Sequence, residues 1–402
     1  MIRSRKKPTG FVAVMRREFE RIRTRKTLWM LIIIMPLLVF GIIAWIYSGG
    51  VVKNLPMAVC DQDHSALSEL IVRSLAANRS FRVVSYVQNI DEIERAFRQG
   101  KIQAAIVIPQ GSERQIKKGK SAHLVLYKNS SNIIIGNIVL KAAMTTLHTI
   151  SAGLEIRKLE ASGNTPKEAL NKALPIRVHT QSLYNPAYNY ENYLVGGLLP
   201  ILYQMVVMIT AVLVISAEIE EKTIAEALRT ANGNIFVLTA GKAVPHFILH
   251  AANILFLIGI VFPLFGIPNH GSILILILYL FYFVVVAFAL GLLLSCLFTD
   301  MMLATEAAIF LSTPAFIFTG YTFPLQAMPK IQYWYAQLLP STHFMTGFIK
   351  LYQMGTPLKF IVPELLTLTV FLLIALTFFF GLMFWRKNKW CAPSLSMEGA
   401  QP

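Results

Sequence analysis

The sequence predicts a mainly α-helical polytopic membrane protein: six transmembrane helices plus an inserted α/β extracytoplasmic domain. Three observations carry this reading. Of 402 residues, 55% are apolar and 14% charged, and the mean hydropathy is +0.56. Such a composition excludes a disordered tail protein and argues against an ordinary soluble enzyme. The charges are also unevenly spaced: residues 27–52, 192–217, 243–299, 307–329 and 365–385 hold no Asp, Glu, Lys or Arg. A membrane helix needs ~20 predominantly apolar residues, so four gaps hold one span each and the longest holds two. Between the first gap and the second lies a polar stretch, residues 49–192, whose apolar runs have strand length.

The N-terminal segment, residues 1–27, reads as a cytoplasmic interface helix. Phe11, Met15, Phe19 and Ile22 recur at helical spacing among Arg16, Arg17, Arg21, Arg23 and Arg25, an apolar stripe with a cationic face. Span one follows at Leu28–Ser48, an uncleaved signal anchor with Pro36 as a kink point; it has full span length and no A-x-A-like cleavage site follows it. In the external domain, Leu55–Asp61, Phe81–Tyr86, Ala104–Pro109 and Ala122–Tyr127 read as strands. Ser65–Ala77, Ile90–Gln99 and Ser112–Lys118 read as the helices between them, with Ser65 and Ser112 as N-caps. Strand and helix in alternation mean a small domain with a mixed sheet. A long helix, Ile133–Ala161, and a looser segment, Pro175–Asn192, lead back to the membrane.

Residues 193–385 hold the other spans. Span two is Tyr193–Ser216, followed by a cytoplasmic loop at 217–242. Span three is Ala243–Phe265 and span four Ser272–Phe298, with the turn Gly266–Gly271 between them. A tight turn, Thr299–Met302, precedes span five, Leu303–Tyr321. Residues 322–358 form a Pro- and aromatic-rich external segment, and span six is Lys359–Trp385. Residues 1–26 hold ten Lys/Arg against two Glu, and Arg386, Lys387 and Lys389 open the tail at 386–402. Basic residues hold the cytoplasmic side, so both termini are placed inside.

The formal charge of +16 does not argue for nucleic acid. It divides between the N-terminal cluster, which suits topology and anionic lipid, and the domain, where no nucleic-acid module is visible. Cys60, Cys296 and Cys391 fall in three different compartments under this topology, which leaves no intrachain disulfide framework.

Candidate chemistry is sparse. Gly119-Lys120-Ser121 resembles the end of a phosphate-binding loop, but Arg114 stands where the required glycine belongs. His246 and His250 lie one helical turn apart, a spacing that can hold a metal, yet Phe247-Ile248-Leu249 between them supply no further ligand; interfacial packing is the simpler reading. A polar strand-to-helix turn likewise explains Asp61, Asp63 and His64. Asp300 and Glu306 are the sole acids of the span three-to-five block and the only candidates for a proton relay.

Two stretches carry more. After span two come Glu218, Glu220, Glu221 and Lys222, then Thr223, Ile224, Glu226 and Leu228 at amphipathic spacing, closed by Gly241-Lys242. After span five come Pro314, the run Thr319-Gly320-Tyr321-Thr322-Phe323-Pro324, then Ala327-Met328-Pro329 and Leu339-Pro340-Ser341-Thr342-His343. The domain opens with Ala58-Val59-Cys60-Asp61-Gln62-Asp63 and Ser65-Ala66-Leu67-Ser68, and continues with Ala104-Ala105-Ile106-Val107-Ile108-Pro109. In this order the chain resembles the type-2 ABC exporter permease family. Its cytoplasmic loop typically reads E-x-E-x-G-T-[IL]-E-x-L and ends in G-K. Here Lys222 replaces the usual glycine, and Ala225 stands where the second acid is expected, with Glu226 one place later.

The resemblance implies a half-transporter without a nucleotide site or cofactor of its own. A separate cytoplasmic ATP-binding subunit, carrying ATP and Mg, would dock on the loop at 218–228 together with the N-terminal helix. A second permease subunit, identical or paralogous, would enclose a pathway lined mainly by spans one, two and five. Gly320 and Pro324 would let the chain break and return near the outer leaflet, where irregular backbone needs shielding by protein. The external domain would gate the exit or meet a periplasmic adaptor in a bacterial inner membrane. Cargo would be amphipathic or lipophilic, drug-like or lipid-like. Two other readings of the residues stand beside it: an ion-coupled secondary transporter, which would need a buried titratable group or paired broken helices, and a non-transporting membrane receptor or scaffold.

Overall fold

The computed structural model describes residues 9–176, 181, 183–185, 189–298 and 300–391. Thr299 of the predicted turn, much of the 175–192 connection and the tail beyond Cys391 lie outside the described residues. The chain divides into two compact units, residues 49–190 and the remainder.

The larger unit begins with α1 (Phe11–Thr24). Its buried residues are Val14, Glu18, Arg21 and Ile22, whereas Phe11 and Phe19 are exposed. Of the expected apolar stripe only Ile22 is fully buried, because α1 packs on protein through a partly ionic face. Helix α2 (Lys26–Tyr47) follows. A π-turn at Met30–Ile34 precedes Pro36. Proline has no N–H for the carbonyl four residues back, here Ile32, and the Asn253 side-chain amide donates to that oxygen at 2.8 Å. The kink expected at Pro36 is thus a local widening of the helix.

The smaller unit is built on β1 (Leu55–Asp61), α3 (Ala66–Ala76), β2 (Phe81–Tyr86), α4 (Ile90–Arg98), β3 (Ala104–Ile108), α5 (Ser112–Lys117) and β4 (Val125–Lys128). The sheet order is β2-β1-β3-β4. β1 runs parallel to β2 and β3, in register Met57 to Ala104 and Asp61 to Ile108, and β4 closes the sheet antiparallel to β3. Every residue of β3 is buried, as expected for a parallel strand covered on both faces. One face buries Leu55, Met57, Ile71, Leu75 and Ile106, the other Cys60, Ile93 and Ile102. β4 begins later than expected, at Val125, and ends at Lys128. Ser65 caps α3 through a reciprocal capping box with Ser68. Ser112 does not cap α5: Gly111, left-handed at φ 80°, is the N-cap, and Asp63 accepts hydrogen bonds from the Gly111 and Glu113 amides at 2.6 and 3.0 Å. A carboxylate from the loop after β1, the strand beside β3, thus does the work expected of the serine.

Helix α6 (Ile133–Ala161), capped by Asn132, packs its early turns on the sheet through Val139 and Ala143. A short helix unassigned from sequence, α7 (Pro166–Ala173), is started by a Thr165–Glu168 capping box.

The larger unit resumes with α8 (Tyr190–Glu220), α9 (Ile224–Thr230), α10 (Ile235–Leu264), α11 (Ile273–Leu297), α12 (Met301–Phe318), α13 (Lys330–Gln337), α14 (Pro340–Tyr352) and α15 (Val362–Cys391). Two helices extend into the expected cytoplasmic loop: α8 runs past Ser216 to Glu220, and α10 starts at Ile235 rather than Ala243. The loop read as 217–242 is therefore mostly helix. Within the segment 322–358, read as Pro- and aromatic-rich and given no helix, α14 buries Thr342, Phe344, Phe348 and Tyr352, with Phe344 stacked on Phe283 of α11 at 3.8 Å between ring centroids. Seven described helices are long and apolar enough to cross a membrane, one more than the charge gaps predict. The extra one is α6, where Lys141 interrupts the charge-free run and part of the apolar surface covers the sheet.

Candidate functional site

Two clusters sit at opposite ends of α8. Residues 193 and 218 are separated by about 38 Å of helix at 1.5 Å per residue.

At the Glu218 end, charge is buried. Glu18, Glu218 and Lys242 are each about 1% exposed. Arg17 grips Glu218 in a two-pronged pair at 2.9 and 3.0 Å. Arg21 Nη1 donates to the same carboxylate at 3.3 Å and to the Val214 carbonyl at 3.4 Å. Lys242 Nζ bridges Glu218, at 2.8 Å, and Glu18. His246 Nε2 lies 3.2 Å from the other Glu18 oxygen. Burial pushes the Glu18 carboxyl up, but Lys242, His246 and Arg21 more than offset it and hold the group below the usual carboxylate range. The cluster joins α1, α8 and α10. Gly241 permits the approach, since a Cβ there would lie 2.8 Å from Val14 Cβ. The Gly10 amide also donates to the Thr230 carbonyl at 2.7 Å, tying the start of α1 to the end of α9.

The turn between α8 and α9 has a defined geometry. Lys222 is left-handed at φ 59°. The Thr223 amide donates to Glu218 O at 2.9 Å and the Lys222 amide to Ile219 O at 3.1 Å, the paired closure of a helix C-terminus that usually takes glycine at the left-handed residue. The glycine of the family pattern thus has a conformational reason, and Lys222 occupies that conformation at a cost. Thr223 Oγ1 donates to Glu218 as well.

The eight loop residues therefore divide. Glu218, Ile224 and Leu228 are buried; Thr223 is half-buried; Glu220, Glu221, Lys222 and Glu226 are exposed. Glu221 pairs with Arg25. The sequence offers Glu218 as part of the docking loop and gives no role to Arg17, Glu18 or Lys242 in holding it. The available signal was Lys242 itself, a single cation ahead of a long charge-free run, which needs an acid from elsewhere.

At the other end of α8 the second motif meets the helix. The rings of Tyr193 and Tyr321 stack at 4.9 Å. Tyr193 donates to the Tyr321 carbonyl at 3.0 Å, and Tyr321 donates back to the Tyr193 carbonyl. A Cβ at Gly197 would collide with the Tyr321 ring, and one at Gly196 would lie 2.8 Å from Tyr352 Cε1. Gly320, at φ 81°, turns the chain out of α12. Pro324 precedes a 3-10 turn, Leu325–Ala327, that ends at Met328, and Pro329 precedes α13. Pro340 starts α14, where Thr342 Oγ1 donates to the Phe318 carbonyl at 3.3 Å and His343 Nε2 bonds the Gln337 carbonyl at 3.0 Å. Phe323 is exposed. The motif is a compact return of the chain in which Thr342 and His343 find backbone partners, while the Thr319 and Ser341 hydroxyls are buried without one.

The other candidates resolve singly. His246 faces Glu18, while His250 is held by Tyr203 at 2.9 Å and Thr210 at 3.3 Å. Among the described residues no three His, Cys, Asp or Glu gather as a metal site. Asp61 accepts the Asp63 and His64 amides at 3.0 and 3.1 Å. Asp300 caps α12 through the Leu303 amide at 2.8 Å, and Glu306 is exposed. Cys60 and Cys296 are free thiols.

The chain is similar to known proteins. The chain is 23% identical to "Probable multidrug ABC transporter permease YbhS" of Escherichia coli (strain K12) over 303 residues, 75% of this chain and 76% of that protein. It is 25% identical to "Probable multidrug ABC transporter permease YbhR" of the same organism over 300 residues, 74% and 77% of the two chains. "ABC transporter G family member 20" of Dictyostelium discoideum is 22% identical over 345 residues, which cover 83% of this chain and 44% of that protein. The family model described as ABC-2 family transporter protein matches residues 25–385, and the chain belongs to that family.

Proposed function

We propose that this membrane permease works as one half of an ATP-driven exporter. It would move an amphipathic or lipophilic compound, drug-like or lipid-like, out across a bacterial inner membrane. The supporting observation is the Glu218 cluster: a buried ionic knot immediately behind an exposed turn that presents Glu220, Lys222 and Glu226. A separate ATP-binding subunit would bear on that turn and on α9, with both termini on the same, cytoplasmic side. The buried carboxylate would carry its displacement into α1, α8 and α10 together, because none of its partners can leave without exposing a charge to an apolar interior. A second permease subunit, identical or paralogous, would complete the pathway. Six spans with α6 held in the external domain suit this arrangement, and that domain is where a periplasmic adaptor would meet the complex. ATP and Mg belong to the partner subunit.

The test is affinity purification from native membranes, comparing the parent with Glu220→Ala plus Glu226→Ala. These exposed substitutions leave thermal stability within about 0.5 kcal/mol. An ATPase subunit that accompanies the parent and falls at least about tenfold in the variant, a loss of ~1.4 kcal/mol of binding, supports the docking role. Equal recovery from both proteins removes that role from the turn. Failure to recover any ATPase overturns the exporter reading.

A further inference from the structure

We propose that the smaller unit holds a binding site for an amphipathic anion, one acidic head on an apolar body, in the cleft beneath the second half of α6. The cleft arises from a mismatch of lengths. At 1.5 Å per residue α6 is about 43 Å long, whereas the longest strands extend about 23 Å at 3.3 Å per residue. Val139 and Ala143 use the available sheet. Beyond them Leu147, Ile150 and Leu154 continue an apolar line along α6 with no strand below, and each stays only partly buried. The chain does not close this gap: β4 begins only at Val125, and the 118–124 stretch before it forms a lip instead. The result is a cavity of about 820 Å³ whose apolar lining is Leu67 and Ile71 of α3, Ile116, Leu124, the three α6 residues and Leu174 after α7, with Ser121, His148 and Ser151 among its polar lining. That volume and its mixed apolar and polar lining suit a small amphipathic molecule of about drug size.

The rim selects the sign of the ligand. Lys117 and Lys120 stand on one lip and Lys158 on the other, against a single lining acid, Glu155. Lys117 is shared with Glu113 at 3.0 Å and Lys158 with Glu155 at 3.7 Å, and both lysines are exposed. Such pairs hold their partners weakly, so the ammonium groups are available to a carboxylate, sulfate or phosphate head. Long lysine side chains reach a head at the rim while their stems cover apolar surface. The site stands independently of the direction of transport and of the docking turn.

The test uses the full chain in nanodiscs of zwitterionic phosphatidylcholine. Two photoreactive probes share one diazirine-bearing alkyl chain, one ending in carboxylate and the other in ammonium. After irradiation, mass spectrometry of peptides locates the adducts. The carboxylate probe is expected to label segments 116–124 and 147–158, about fivefold above the ammonium probe, the scale of exposed charge pairing. The exposed triple variant Lys117→Glu, Lys120→Glu, Lys158→Glu should reverse that preference while its melting temperature stays close to the parent's. A wall variant, Ile150→Trp, should reduce labelling by both probes. Equal labelling by the two probes, unchanged in the triple variant, overturns the anion. Absence of adducts from both segments overturns the site and leaves a protein segment as the cover of the cleft.

Discussion

The two ends of α8 fasten the same helix by different chemistry. At one end Glu218 is gripped by Arg17, Arg21 and Lys242. At the other, Tyr193 and Tyr321 exchange hydrogen bonds with each other's carbonyls across two glycines. An ionic cluster tolerates small shifts of its partners, since charge attraction falls slowly with distance, but it tolerates no missing partner. The tyrosine seam has the opposite character: each hydrogen bond contributes only ~1 kcal/mol, while its fit depends on space within tenths of an ångström.

The comparison breaks most readily at Lys242. Lys242→Met leaves Glu18 and Glu218 buried beside fewer cations and should cost about 3–5 kcal/mol, read as loss of folded protein and of melting temperature in detergent. A loss below ~1 kcal/mol would mean that water reaches the cluster. Gly197→Ala tests the other end. Its Cβ must displace the Tyr321 ring, an overpacking cost of about 1–3 kcal/mol. A double variant with Tyr321→Ala should recover most of that loss, and no recovery would place the strain elsewhere. Lys222→Gly sharpens the ionic end from outside, because removing the side chain from a left-handed residue should raise stability by ~1 kcal/mol. An unchanged melting curve would deny strain at that turn.

The smallest effect is pH. The Glu18 carboxyl lies below its ordinary value of 4.5 in the folded protein, so the folded state binds that proton less tightly than the unfolded chain. Its stabilisation is complete above about 4.5 and declines as the pH falls below that value. Hydrogen exchange corrected for intrinsic rates should therefore lose protection in residues 11–24 on acidification from pH ~6 to ~3.5, ahead of residues 315–321. Equal loss in both segments would detach the effect from Glu18.

Much of the scaffold was legible because its signals are local. Leu55–Asp61, Phe81–Tyr86 and Ile133–Ala161 form where their apolar runs predict, and charge gaps located all the long helices except α6. The ionic cluster was less legible. Glu18 and Lys242 lie 224 positions apart, and a sequence read one stretch at a time saw only a basic helix and a charged loop. The same limit hid the capping of α5 by Asp63, which acts across 48 residues. At Lys222 the departure from the family glycine was visible, but its meaning required the backbone angle. Helix α14 escaped because it lies in a Pro- and aromatic-rich segment, although Pro340 is in the first turn of a helix, where proline is accepted.

The bond from Asn253 to the Ile32 carbonyl has a mechanical consequence. Where Pro36 leaves a gap in the backbone ladder of α2, a rung is supplied by α10. Sliding or rotating either helix alone would strand a carbonyl where water is scarce, so the two are geared to travel as one piece. A displacement that reaches α10 through Lys242 therefore has a route to α2 besides the chain connection at Arg25, between α1 and α2.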